Sequence, residues 1–405
     1  MRAIPILSVA RNCEFGVCLL WAFVCLYALL PCNDLYAGIE NGDTIVIGAL
    51  FDLSGPGADC GDAALAGARA AVRAINAAGG VRGRDLELRV ADTMGNSDRL
   101  LSGARSLNRE YGAVILIGPE TPSLNDFARR YGETYHRIVI LVSGQQPLMR
   151  NRKTNITYTF GTFLDLKAEI KAALNFLGKK ELNSVGLAVE QSPEGKRFAL
   201  WFKGFSGEHD VRVACMGAFD PSRNDLVLKF SQLDGCGGEA NVIWGDWASS
   251  TRIWSGLLGM SRPVMLFHRT LTPPVDENGK VRIMPLRMYG VAPPVFLQSA
   301  VPSWHPCAFY VRRFLRFMED DLEFFEPREL MAAAQAWDAV HLSARALARS
   351  RSFRGSVLKE TLEKEIGEFR GVTGVYRPDR YDHSRLDPKS LVIMNWTGRA
   401  WRPVR

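Results

Sequence analysis

The stretch from Thr44 to Thr93 constrains the fold most, because it spells strand, small-residue loop, helix and strand in one unit. Thr44 to Leu50 is a β-branched run of buried-strand type, and it empties into Ser54-Gly55-Pro56-Gly57, a loop that suits only small residues. The helix that follows carries Leu65, Ala68, Val72 and Ile75 on one face and stops at Gly79-Gly80. Asp85 to Asp92 reads as the next strand. Such a unit builds an open parallel sheet, where ligands sit in the crevice beyond the carboxyl ends of the strands. The Ser54 loop falls there.

The alternation continues. Helices are expected near Asp98 to Glu110 and Ser123 to Tyr135, with strands at Ala113 to Ile117 and Ile138 to Val142. Around Tyr158 to Thr162 the pattern resets, and a second series of strands and helices runs from Leu164 to Phe267. A chain of 405 residues, 47% hydrophobic and 23% charged, is long enough for two cores, since single cores rarely grow past roughly 250 to 300 residues. The chain is expected to cross back near Met284 to Val291 and again near Arg351 to Gly355. That assigns one lobe to residues 43–160 and 288–352 and the other to 161–287 and 353–405, with three crossings forming a hinge. Asp276 to Lys280 reads as an exposed turn without function.

The amino terminus carries Arg2 and Arg11, an apolar run from Phe15 to Leu30, and a polar turn at Pro31 to Asp34. This is the pattern of a secretory leader over residues 1–37, cleaved after Ala37. The run is shorter than the ~20 residues of a spanning helix, and Leu29-Leu30-Pro31-Cys32 makes a poor lipidation signal. Four cysteines leave with the leader, and Cys60, Cys215, Cys236 and Cys307 remain. Cys215 with Cys236 is one feasible bridge in an oxidising compartment, but four cysteines permit three pairings. The leader is neutral, so the mature chain keeps the formal +7. No basic stripe interleaved with aromatics argues for nucleic acid.

Ile47-Gly48, Leu53-Ser54-Gly55-Pro56, Gly61-Asp62, Ile75-Asn76-Ala77-Ala78-Gly79-Gly80 and Asp92-Thr93 resemble the opening of the leucine/isoleucine/valine-binding family, the periplasmic solute-binding proteins of ABC importers. The likeness returns at Ile117-Gly118, at Ala336-Trp337-Asp338-Ala339-Val340 and at Phe369 to Val375. It implies a two-lobed type I periplasmic binding protein fold of the α/β class, each lobe a parallel sheet flanked by helices. It also implies a periplasmic monomer that takes up a small-molecule solute and delivers it to ABC permease and ATPase subunits.

Six loops at strand ends are the expected ligand contacts. The first offers Ser54 and Cys60, the latter where the family usually has an aromatic residue. The second, Pro119-Glu120-Thr121-Pro122-Ser123, stands where the family tends to place small hydroxyl residues for a ligand carboxylate; Thr121 and Ser123 keep that chemistry, and Ser123 alternatively caps a helix. Gln145 and Gln146 occupy the third and can read an amide or carboxyl. Ser192 stands where the family often has a covering tyrosine. Asp246 and Trp247 follow another strand, Trp247 resembling an aromatic wall. His268-Arg269 occupies the position of the acid that pairs a ligand ammonium, so that acid reads as absent.

His305 and Cys307 lie two apart, but no H-E-x-x-H, G-x-S-x-G, C-x-x-C or Walker A motif accompanies them. No metal or cofactor is expected. A solute receptor without turnover is therefore the leading expectation, ahead of a ligand-sensing receptor subunit and, third, an enzyme on this scaffold. Branched-chain amino acids are expected to bind poorly, and a carboxylate or amide that stacks on Trp247 is the expected ligand.

Overall fold

The computed structural model describes residues 44–144, 146, 148–149, 156–274, 287–319 and 321–404. The leader, Gln145 and the turn at Asp276 to Lys280 lie outside them.

The first sheet is built from β1 (Thr44–Phe51), β2 (Asp85–Asp92), β3 (Ile115–Ile117), β4 (Ile138–Leu141) and β5 (Thr159–Gly161), in the order β2-β1-β3-β4-β5 and parallel throughout. Between the strands run α1 (Ala58–Asn76), α2 (Ser97–Arg109) and α3 (Asn125–Tyr135). Alternation along β1 sends Ile45, Ile47, Ala49 and Phe51 into the main core, while Leu50 joins Leu100, Leu107 and Tyr131 on the other face. Both faces are covered, so the strand is apolar almost without interruption.

The second sheet holds β6 (Ser184–Glu190), β7 (Arg212–Phe219), β8 (Ala240–Trp244), β9 (Val264–Phe267) and β10 (Met288–Ala292), all parallel, with β11 (Val392–Trp396) and β12 (Trp401–Pro403) added antiparallel at one edge. Its helices are α4 (Leu166–Lys179), α5 (Pro193–Ser206), α6 (Leu226–Asp234) and α7 (Ser250–Gly256). A disulfide joins Cys215 to Cys236, whereas Cys60 and Cys307 are free and buried.

Three further helices, α8 (Ala308–Phe317), α9 (Pro327–Arg349) and α10 (Gly355–Lys364), pack with the first lobe: α8 and α9 lie on α1, and α10 lies on α9 and β4. Gly67 makes the α1–α9 approach possible, since a Cβ there would stand 2.1 Å from the Ala333 carbonyl oxygen. The observed crossings therefore differ from those expected. Met288–Ala292 pairs with β9 and belongs to the second sheet, and 355–364 stays with the first lobe. An apolar run announces a strand, but which sheet it joins depends on the edge left open by strands already in place.

Both sheets reverse their strand order, between β1 and β3 in the first and between β6 and β8 in the second. The loops leaving those four strands are where an open α/β sheet receives a ligand.

Candidate functional site

Carboxylates at the strand ends tie these loops down. Asp92, closing β2, accepts from the Leu53 amide at 2.9 Å and from the Ser54 hydroxyl at 2.6 Å. Glu190, closing β6, accepts from the Asp246 amide and the Ser249 hydroxyl, both at 2.8 Å. Asp52 accepts from the hydroxyls of Thr93 and Thr121. Gly61 lets α1 start close beneath this loop, because a Cβ there would lie 1.9 Å from the Asp52 carbonyl oxygen.

The tied loops enclose a cavity of about 470 Å³ walled by both lobes. From the first come Cys60, Glu120, Ser143, Arg328 and Gln335; from the second come Leu166, Glu169, Asp246, Trp247, His268 and Arg269. Trp247 stacks on Phe296 at 6.4 Å between centroids and meets the edge of His268 at 5.2 Å. Burial pushes the Cys60 thiol above its ordinary range, so it forms a small neutral part of the wall.

Of the residues expected at the site, Cys60, Asp246, Trp247 and His268 line the cavity. The others do different work. Ser54 is spent on Asp92, and Thr121 on Asp52. Ser192 caps α5, accepting from the Gly195 amide at 3.0 Å. Ser123 sits exposed in a 3-10 turn and makes no capping hydrogen bond to α3. Gln146 is exposed and away from the cavity wall. His305 accepts from the Cys307 amide at 3.2 Å, a local structural bond.

Two acids were hidden from sequence reasoning. Glu169 projects from α4, fully buried, with Oε1 2.7 Å from His268 Nδ1. The second lobe thus does hold a carboxylate beside His268, which corrects the expectation that an acid is missing there. It comes from a helix ninety-nine residues earlier in the chain, so inspection of the His268 loop could not reveal it. Asp246, another acid of the second-lobe wall, is engaged by Arg269.

The second hidden acid is Glu120, whose Oε1 accepts from the Asp52 amide at 3.0 Å. Burial, and then the neighbouring Asp52 charge, push its carboxyl up to about 7. The remaining oxygens, Oε2 of Glu120 and Oε2 of Glu169, have no hydrogen-bond partner among the described residues. A signal was present in the sequence: an acid in a loop otherwise made of small hydroxyl residues and prolines.

Two α/β lobes whose sheet-reversal points face one polar cavity define a two-lobed fold with its cleft between the lobes. A periplasmic binding protein family model matches residues 44–226. The Leu/Ile/Val-binding protein BraC3 of Rhizobium johnstonii is 26% identical over 57% of this chain and 68% of its own. The type 1 periplasmic binding protein of Bordetella pertussis superposes with a TM-score of 0.67 at 18% identity, covering 89% of this chain and 100% of that one. The branched-chain amino acid transporter substrate-binding protein LivJ of Streptococcus pneumoniae, in complex with isoleucine, gives 0.64 at 22% identity, over 89% and 99%. The chain has the fold of the type I periplasmic binding proteins, and its sequence resembles those of Leu/Ile/Val-binding type.

Proposed function

We propose that this protein is the solute-binding component of an ABC importer, which closes its two lobes over a small polar molecule and presents the closed form to a permease. The observation that carries the reading is the cavity itself, walled from both lobes and centred on the carboxyl ends of the strands at both reversal points. A ligand held there contacts both lobes only when they are closed, and that differential contact is what shifts a hinge equilibrium. The wall offers carboxylates, guanidiniums and an indole as hydrogen-bonding and stacking groups for such a molecule. Secretion to the periplasm through the leader at residues 1–37 belongs to the same reading.

Two measurements test it. Native mass spectrometry of protein purified without denaturation should find a small molecule bound, and an N-terminus at Gly38 should follow from leader removal. Small-angle scattering with that molecule should then show compaction. An unchanged radius of gyration at saturation removes the closing mechanism, and retention of residues 1–30 removes the free periplasmic form.

A further inference from the structure

The cavity is acidic. Glu120, Glu169, Glu194 and Asp246 line it against two guanidiniums, those of Arg269 and Arg328. Arg269 is already committed to Asp246. Glu169 leans on His268 through one oxygen only. Glu120 is 8% exposed and Glu169 is 0% exposed, and each keeps an oxygen without a hydrogen-bond partner among the described residues. They stand on opposite lobes, one in the loop after β3 and the other on the first turn of α4. Asp52 lies directly behind Glu120, its amide bonded to that carboxyl, and both of its own carboxylate oxygens are taken by Thr93 and Thr121.

A buried carboxylate oxygen without a donor is costly, by an amount that a charged donor returns more fully than a neutral one. A ligand carboxylate placed against Glu120 would stand beside that acid and the Asp52 carboxylate behind it, whose charge disfavours a further anion there. A ligand with N–H donors at both ends would satisfy both oxygens at once, and only when the lobes are closed.

Resting on the solute-binding reading above, we infer that the ligand is a small organic cation bearing N–H donors at both ends, of the diamine type, held between Glu120 of the first lobe and Glu169 of the second. The hydrocarbon between those ends packs against Trp247 and Leu166, and a cavity of about 470 Å³ limits it to a short chain. This replaces the carboxylate or amide expected from the sequence, since the loop after β3 turns its threonine to Asp52 and offers a glutamate to the cavity wall.

Isothermal titration calorimetry of the mature protein decides the matter, with α,ω-diamines of three to six carbons, butylamine, leucine and succinate as probes. At least one diamine should bind at micromolar concentration, at least tenfold more tightly than butylamine, and succinate should give no heat. Glu120→Gln and Glu169→Gln, each checked for folding by circular dichroism, should weaken that diamine at least tenfold; either one alone suffices if the other fails to fold. The inference falls if leucine or succinate binds more tightly than every diamine, if no diamine binds, or if the folded variants bind as the parent does. Scattering separates this failure from that of the broader reading. Compaction with leucine or succinate would leave a solute receptor of another specificity, whereas a native preparation free of small molecules and unmoved by every probe would remove the receptor itself.

Discussion

Asp338 on α9 accepts hydrogen bonds from the amides of Val372, at 2.8 Å, and Thr373, at 3.0 Å, and from the Thr373 hydroxyl. Two sequence segments that each resemble the family, Ala336 to Val340 and Phe369 to Val375, are thus one contact. Gly371 permits it, since a Cβ there would lie 2.3 Å from an Asp338 oxygen. Tyr376 extends the network, its hydroxyl meeting Thr373 and donating to the carbonyl of Thr162, at the first crossing between lobes. Replacing Asp338 by alanine leaves buried N–H groups without an acceptor, so we expect a loss of about 3 kcal/mol and a fall in Tm of several degrees. Thermal unfolding followed by circular dichroism measures it; a change below one degree would show that the network carries little stability.

The disulfide is expected to act on stability and leave binding alone. Cys215 and Cys236 are separated by 21 residues and lie away from the cavity wall. A loop of that length constrains the unfolded chain by roughly 3 kcal/mol. The double variant Cys215→Ser with Cys236→Ser should therefore melt lower and bind its ligand with unchanged affinity. Weaker binding in a variant that remains folded at the assay temperature would show coupling between the bridge and the cleft.

Glu120 gives a signed pH dependence. Its folded value is raised to about 7 from an ordinary 4.5, so between those limits the folded chain holds a proton that the unfolded chain has released. Stability from this group is full below about 4.5 and is lost as pH rises through about 7, by up to roughly 3 kcal/mol. Asp52 is the charge facing it, and Thr121 donates to Asp52 rather than compensating fully. The difference in unfolding free energy between the parent and Glu120→Gln should change across that window. A flat difference from pH 4 to 8 would place the carboxyl in its ordinary range.

Trp247 is half-buried, stacked on Phe296 and edge-on to His268, with the rest of its surface on the cavity. Truncation to alanine should weaken ligand binding by about tenfold, the value of a substantial aromatic contact, with little effect on Tm. The parent should also show a change in tryptophan fluorescence on binding that Trp247→Ala lacks. Equal affinity and an equal fluorescence change in the variant would place the ligand elsewhere in the cavity.

Local pattern determined much of this protein. The run of β1, the apolar face of α1 and the Gly79-Gly80 stop are properties of neighbouring residues, and the period of side chains along a strand or helix is written in the order of the chain. Alternating strands and helices then imply parallel sheets, and the reversal in strand order places the cleft. The identities of the wall residues were only partly legible. Cys60, Asp246, Trp247 and His268 stand in loops at strand ends, where a reading by loop finds them. Glu169 does not, because it reaches the cavity from within a helix.

Tertiary structure decided which polar groups face the ligand. Ser54 and Thr121 look like ligand hydroxyls in sequence, but Asp92 and Asp52 claim them once the strands align side by side. Asp52 and Glu120 are 68 residues apart, and only the pairing of β1 with β3 brings the two acids together. The same holds for Met288–Ala292, whose sheet is chosen by the open edge of β9. Short-range periodicity records which face of an element is buried; which partner that face meets, and which donor remains unpaired, follows from contacts between residues far apart in the chain.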